Sequence, residues 1–365
     1  MIINNHAQHI MKVIEDAGYQ ARVCGGAVRD YVMGNEPKDW DIATTALPEK
    51  VMKLFPHTIP TGLQHGTVSV VIENEVFEVT TLRKDVETDG RHAVVEFTDN
   101  WRTDALRRDF TMNAMYMDIN RNLYDYFGGV NDITNGVIRF VGNAADRIKE
   151  DYLRILRYFR FMSRYDMDNA DIETLVAIRE NVMGLEKISV ERIWSEIKKI
   201  YSYHQNIHNI TQLMNMCEVW KGVGMKNRMF SAASSSNDYK YNSPLMNAFL
   251  PIIFELDTLK EQWKLSIDEK NKYEIIIEIA KQKSVEDIIY LAYQKEENVR
   301  WYLGHDSVFD PGKVGEAARW LRNNPVLPSF PFNGDTLKTE GFAGKKLGDE
   351  LKRRKLEYIK TMVNG

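Results

Sequence analysis

Apolar positions in MIINNHAQHIMKVIEDAG recur at helical spacing and predict a first helix over residues 6–17, ended by Gly18. YQARVCGG reads as a short strand running into a turn, and AVRDYVMG as a helix that begins after Gly25 and Gly26. DWDIAT alternates and predicts a strand through Asp39–Thr44. TVSVVI (67–72) and VFEVTTL (76–82) predict a hairpin turning near Glu73, Asn74 and Glu75. Residues 84–103 are polar and read as a mobile loop with one strand, AVVEF. LRRDFTMNAMYMDI begins helical and passes into a strand, and LYDYFGG closes a mixed α/β unit of four or five strands. From about residue 136 the period is helical. AADRIKEDYLRILRYFRFMSRY is long, amphipathic and free of Gly and Pro, and SVERIWSEIKKIYSY predicts another helix starting at Ser189. SAASSSNDYKYNSP (231–244) reads as a link between helical units, and a basic helix ends the sequence.

Composition narrows the class. A chain of 365 residues has room for two to four compact units, and 44% hydrophobic with 27% charged residues is globular rather than disordered. No run of eighteen apolar residues predicts a membrane span, and the N-terminus lacks the pattern of a secretory signal. Two cysteines, Cys24 and Cys217, form neither a disulfide framework nor a CxxC pair, which fits a reducing, cytoplasmic setting. The net charge of −4 argues against a uniformly basic coat but leaves room for a local basic groove. Charge is uneven: residues 345–360 hold seven basic and three acidic side chains, and Arg147, Arg154, Arg157, Arg160 and Arg164 crowd one segment.

The stretch GGAVRDYVMGNEPKDWDIAT (25–44) carries the candidate chemistry. Alternate side chains of a strand share a face, so Asp39 and Asp41 point one way and Trp40 the other. Their Cβ atoms then stand roughly 6.5–7 Å apart. Such a pair can converge on a hard cation such as Mg²⁺, which prefers oxygen ligands. Two such ions about 3.5–4 Å apart can activate an attacking hydroxyl and steady a leaving phosphate. Glu78 is the candidate third carboxylate, since Phe77 and Val79 face the opposite side. Alone, Asp-x-Asp is common and Gly-Gly is an ordinary turn. Together they say more, because backbone N–H groups at a helix start, with Arg29 one turn inside, make a phosphate cradle. The combination reads as nucleoside triphosphate plus metal.

GG-x-V-R-D followed by D-x-D resembles the nucleotidyltransferase signature of the DNA polymerase beta superfamily. Within it, LRRDFTMNAMY (106–116), YFGGVNDI (126–133), IRFVG (138–142) and EDYLRILRYFRF (150–161) resemble the class II tRNA nucleotidyltransferases, the CCA-adding enzymes. TLRKDVETDGRHAVVEFT (81–98) resembles their mitochondrial and alphaproteobacterial branch. The likeness is dense over residues 20–200 and thins after 205, returning in NGDTLKTEGFAGKKLGDELKRR. It implies an elongated, multidomain chain. An α/β head with a polymerase-beta-like sheet (1–135) would precede an all-α neck carrying a base-reading helix (136–204), a body (205–300) and a tRNA-binding tail (301–365). The implied activity is template-independent addition of CCA to the tRNA 3′ end from CTP and ATP, with pyrophosphate released. Mg²⁺ is the implied cofactor, two ions of it, with Mn²⁺ as a substitute. No membrane and no obligatory protein partner is implied.

Asp151, Arg154, Arg157 and Arg160 recur every three residues and so neighbour one another along a helix. A carboxylate accepts and a guanidinium donates, so one Asp–Arg pair satisfies the amine donor and ring-nitrogen acceptor of cytosine or adenine. Uracil and guanine present the reverse pattern and are disfavoured. On its own the row also fits a solvated, salt-bridged face. The resemblance makes Asp151 and Arg154 the amino-acid template, with Arg157 and Arg160 helping to bind the nucleotide. It makes Arg108 a nucleotide contact, and gives Asp109 and Asn113 the ribose and the local helix geometry. Asp89, Gly90 and Arg91 match the family's flexible loop, which is implicated in the change from CTP to ATP. Enzymes that add only CC tend to have that segment shortened, so its presence favours complete CCA addition. Glu191, Arg192 and Glu196 match a motif that braces the base-reading helix. Of two acidic residues usual before RRD, only Asp104 matches.

Residues 205–330 carry no chemical motif, so Trp220, Trp263, Trp301 and Trp320 read as core and His305-Asp306 as an isolated pair. The basic C-terminal helix reads either as a solvated face or as a track for tRNA phosphates. A poly(A) polymerase or a CC- or A-only enzyme would share the chemistry, and an inactive tRNA-binding protein would share the fold.

Overall fold

The computed structural model describes residues 3–88, 93–165, 169–203, 207–224, 265–300 and 312–364. Asp89, Gly90 and Arg91, the serine-rich link, Trp263, Trp301 and His305-Asp306 lie outside the described residues. The chain divides into two compact units, Met1–Asn227 and Arg228–Gly365.

The first unit opens with helix α1 (Asn5–Asp16), capped by the Asn4 side chain. It continues with β1 (Ala21–Cys24), α2 (Gly26–Val32), β2 (Ile42–Thr44), α3 (Pro48–Leu54), β3 (Thr58–Gly62), β4 (Thr67–Ile72) and β5 (Glu75–Thr81). Then come β6 (Arg83–Thr88), β7 (Ala93–Phe97), α4 (Trp101–Leu106), β8 (Met115–Met117), β9 (Leu123–Asp125) and α5 (Gly129–Thr134). Seven strands form one sheet in the order β3-β4-β5-β2-β1-β8-β9, and β6 pairs with β7. These nine strands exceed the four or five expected, because three-residue pieces such as MYM and LYD are too short to show a period. The β4–β5 turn does fall at Glu73 and Asn74, both with positive φ. Side-chain alternation divides the sheet between two cores. Val23, Ile42 and Val79 pack with α1, α2 and α3, while Cys24, Ala43 and Tyr116 pack with Trp101 and Ala105 of α4.

Three expectations need correction. The strand expected from Asp39 begins only at Ile42, so both aspartates lie in the extended segment before it. Trp40 is nevertheless buried and Asp39 and Asp41 exposed, as alternation requires. In the stretch 84–103, read as a loop with the single strand AVVEF, that strand is present as β7, but among the described residues it pairs with a second strand, β6, and α4 follows. The polar strand RKDVET pairs along AVVEF, with Lys84 and Glu96 bridged at 3.0 Å. The RRDFTMN stretch is not helical from its start: it follows the end of α4 and makes a 3₁₀ turn at Thr111–Asn113.

The long helix expected from 144 is broken. α6 (Ala144–Glu150) stops at Asp151, which is extended, and α7 (Leu153–Tyr165) starts afresh. Asp151 Oδ1 accepts from the Leu153 N–H at 3.1 Å, as an aspartate at a helix start does. The next side chain, Tyr152, sits where a Cβ on Gly184 would lie 1.9 Å from its ring. The unit continues with α8 (Ile172–Asn181), α9 (Val190–Ile200), α10 (Ile207–Met216) and α11 (Val219–Gly222). α7 packs its apolar face on α9, and Phe161 and Tyr158 meet Phe110 and Phe140. Trp220 is fully buried, as expected of core.

In the second unit, helices Val285–Ala292, Lys313–Asn323 and Gly344–Asn364 pack together, with Trp320 half-buried. No helix of the described residues is long and apolar enough to cross a membrane.

Candidate active site

A cavity of about 580 Å³ opens in the first unit where the β1–α2 turn, the RRDFTMN stretch and the start of α7 meet. Gly25 makes its turn at φ 65° and ψ −125°, a backbone region open essentially to glycine. A Cβ there would also stand 3.0 Å from Arg108 Nη1. The glycine pair thus lets a guanidinium lie against the main chain. Gly26, Arg29, Asp41, Arg108, Asp109, Asn113, Asp151, Arg154 and Arg157 join Gly25 in the cavity wall. Asp39, Glu78 and Arg160 are not in its lining.

The walls hold one another. Arg29 is buried; its Nη1 donates to Asn113 Oδ1 at 2.6 Å and its Nε to Asp30 Oδ1 at 3.0 Å. Asn113 in turn donates to Asp109 Oδ1 at 3.0 Å, and Arg157 Nε donates to Asp109 Oδ2 at 2.8 Å. Burial alone would raise the Asp109 carboxyl, but the Arg157 guanidinium and the hydrogen bond from Asn113 overcome it and hold it down at about 2. Arg108 Nε donates to Tyr116 Oη at 3.2 Å and Nη1 to the Asn113 carbonyl at 3.3 Å.

At the other wall, the Asp151 and Arg154 side chains do not bond each other, although the Arg154 backbone N–H donates to the Asp151 carbonyl at 3.0 Å. Asp151 Oδ2 accepts from Arg192 Nη2 at 3.0 Å, and Arg154 Nη1 donates to Glu150 Oε2 at 2.6 Å and to the Arg147 carbonyl at 2.8 Å. Arg160 is tied to Glu196 at 2.9 Å on the α9 side. Because Asp151 ends α6 rather than riding on α7, the three-residue repeat places only the arginines along one helix.

Asp41 behaves differently from Asp109. Withdrawal from water raises its carboxyl, and the negative charges of Glu78 and Asp39 raise it further against the opposing pull of Arg108. Ile42 pairs with Val79 in parallel register, so Asp41 and Glu78 precede partners on adjacent strands. Among the described residues no three His, Cys, Asp or Glu side chains form a ready-made metal cage. The donor set still fits a divalent cation: oxygen ligands only, and two carboxylates whose charge raises a third. Asp39 and Asp41 would hold it, with ligand oxygens and waters filling the remaining positions.

Several lining residues were not singled out from the sequence. Arg83, Arg107, Leu153 and Phe161 complete the wall, and Arg192, expected only as a brace, lines it too. Seven arginines face three aspartates there. Arg147, outside the lining, holds the Arg107 and Arg108 carbonyls at 2.5 and 2.8 Å. An arginine in a half-polar stretch such as TLRKD reads as surface until the fold brings it inward.

A cationic cavity beside a carboxylate pair, on a sheet that continues into helices, marks a nucleotidyltransferase head. Residues 21–139 match the Poly A polymerase head domain, and residues 170–215 match the probable RNA and SrmB-binding site of polymerase A. The chain belongs to the CCA-adding enzyme family, the CCA tRNA nucleotidyltransferases. It is 35% identical over 369 residues to CCA tRNA nucleotidyltransferase 1, mitochondrial, of Danio rerio, covering 94% of this chain and 84% of that one. The Homo sapiens protein of that name is 35% identical over 94% and 83%. A CCA-adding enzyme of Staphylococcus aureus is 45% identical over 196 residues, 53% of this chain and 49% of that one. Among solved structures, the Bacillus stearothermophilus CCA-adding enzyme in complex with CTP superposes with a TM-score of 0.75 at 29% identity, covering 98% of this chain and 92% of that one.

Proposed function

We infer that this chain adds CCA to the 3′ end of tRNA without a nucleic-acid template, using CTP and ATP and releasing pyrophosphate. The observation that carries this reading is one cavity bringing the Gly25 turn and Asp41 to face Asp151, Arg154 and Arg157. Phosphate-binding and base-reading groups are there within reach of a single nucleotide. The divalent metal is Mg²⁺ on this reading, two ions held by Asp39 and Asp41 with Glu78 beside them, and Mn²⁺ can replace it. When bound, it supplies charge stabilisation to the triphosphate and lowers the pKa of the attacking hydroxyl.

Gly25, Gly26 and Arg108 receive the triphosphate, while Arg29, committed to Asp30 and Asn113, keeps the turn in shape. Asp109 and Asn113 set the ribose end. A carboxylate has about four acceptor sites. Asp151 spends one on Leu153 and one on Arg192, which leaves room for the exocyclic amine of cytosine or adenine. Arg154 makes its hydrogen bonds through Nη1, leaving its other N–H groups for the ring nitrogen. Arg157 and Arg160 fix the wall behind them. Residues 1–135 serve as head, 136–204 as neck, 205–300 as body and 301–365 as a tail that contacts tRNA. The sequence at Asp89, Gly90 and Arg91 favours the full three-nucleotide product. Buried thiols at Cys24 and Cys217 suit the cytoplasmic compartment we propose.

The test is incubation of the purified chain with tRNA lacking its 3′ end and with CTP and ATP, separately and together. Ordered growth by C, C and A, followed by a stop, is expected. Long A tails on generic RNA would show a poly(A) polymerase, a stop after CC or growth by A alone a partial enzyme, and no incorporation an inactive tRNA-binding protein.

A further inference from the structure

Asp104 lies outside the cavity lining, yet it is 1% exposed and collects four donors. Its Oδ1 accepts from the Arg83 backbone N–H at 3.1 Å and from Arg107 Nε at 2.9 Å. Its Oδ2 accepts from Tyr116 Oη at 2.6 Å and from Arg108 Nη2 at 3.5 Å. Three of these donors belong to arginines of the cavity wall, and Arg83 is also the first residue of β6. Arg83 Nη1 donates to the His65 carbonyl, while its buried Nε has no hydrogen-bond partner among the described residues.

Without a carboxylate between them, Arg83, Arg107 and Arg108 would face one another as like charges. Burial, and then Arg107, pull the Arg83 guanidinium down to about 10, against the opposing pull of Asp85 and Asp104. Burial would also raise Asp104, but Arg107 and Arg108 hold its carboxyl below the usual range. The cluster is therefore a fixed cationic surface with its balancing charge placed behind it, away from the cavity.

We propose that Asp104 and Arg83 form a positioning unit for the incoming nucleotide. Asp104 clamps the start of β6 and the Arg107–Arg108 pair into one arrangement, and Arg83 carries that arrangement into the cavity wall, where the nucleotide would meet it. This deepens the nucleotidyltransferase reading and rests on it. Asp104 touches no substrate and acts only through the arginines.

The experiment measures steady-state CTP and ATP addition to tRNA for the wild type, Asp104→Asn, Arg83→Gln and Tyr116→Phe, scaled to active-site concentration. Asp104→Asn keeps the shape but loses the charge. We expect its KM for both nucleotides to rise at least tenfold, its KM for tRNA to stay within twofold, and kcat to fall less than KM rises. Arg83→Gln leaves Asp104 and its other donors in place and should raise nucleotide KM three- to tenfold at unchanged melting temperature. Tyr116→Phe removes one neutral donor and should move nucleotide KM by less than threefold. A purely structural role would lower the melting temperature and the active fraction at constant nucleotide KM, and that result in Asp104→Asn overturns the proposal. If Asp104→Asn does not fold, Arg83→Gln decides, and an unchanged nucleotide KM there also overturns it. A wild type that adds no nucleotide at all defeats the function itself, an outcome distinct from either.

Discussion

Asp41 is exposed at the residue level, yet partial withdrawal of its carboxyl from water and the charges of Glu78 and Asp39 raise it above the ordinary carboxylate range. A group whose folded pKa is raised subtracts stability at neutral pH, and that loss disappears as pH falls through the raised value. Asp41→Asn should therefore leave the melting temperature unchanged or raise it slightly, since an exposed carboxylate is screened by solvent. It should also lower nucleotide addition at least about a hundredfold, the scale of a lost metal ligand. Calorimetry and an incorporation assay on the same preparation check both; a lowered melting temperature would show that Asp41 is structural. Asp109 has the opposite sign. Its carboxyl is held at about 2 against an ordinary 3.8, so it adds stability above pH 4 that is lost as pH falls from about 4 to 2. That difference is worth about 2 kcal/mol, an order-of-magnitude figure. Acid unfolding followed by circular dichroism should show Asp109→Asn less stable than the wild type at neutral pH, with the gap closing across that window.

The interruption between α6 and α7 decides where Asp151, the aspartate we propose reads the base, stands. Beside it lies Tyr152, whose ring occupies the space a side chain at position 184 would need. Gly184→Ala forces the ring to move and should cost about 1–3 kcal/mol of stability as overpacking. It should also displace Asp151, so that incorporation of UTP relative to CTP rises at least tenfold in single-nucleotide assays. A lowered melting temperature with an unchanged ratio would separate the break from base choice. This break marks the limit of what the pattern of residues could show. Glycine pair, DxD, hairpin and helix faces were legible because each is local: a period, a turn residue, an alternation. The interruption was not, because KEDYLRIL has good helical spacing and the room that Tyr152 takes up beside the break is left by a glycine distant in sequence, Gly184. The β6–β7 hairpin hid for a related cause. RKDVET has no apolar face of its own and is ordered by its partner strand and by the Arg83 N–H on Asp104. Arg83 and Arg107 reached the cavity the same way, by tertiary placement.

On the scale of the chain, the cavity and the carboxylates belong wholly to the first unit, whereas the densest run of basic residues lies in the second. A net charge of −4 makes that run stand out, and its hydrogen bonds divide it. Arg353 is paired with Glu350 and Glu357, and Arg354 with Glu340 and Glu350, so those guanidiniums are already engaged. Lys345 and Lys346, exposed at the start of the Gly344–Asn364 helix, have no acidic partner among the described residues. If this face tracks RNA phosphates, each lysine lost should weaken tRNA binding alike for all sequences and reduce the slope of log K against log salt by about 0.7–0.9 per phosphate contact. The double substitution Lys345→Ala with Lys346→Ala is expected to flatten that slope by roughly 1.5 and to raise KM for tRNA. KM for CTP and the C-over-U preference should stay as they were, since the residues we propose choose the base lie in the other unit. An unaltered salt slope would assign the helix a solvated face instead, and a shift in CTP KM would show that the two units share the work of holding the nucleotide.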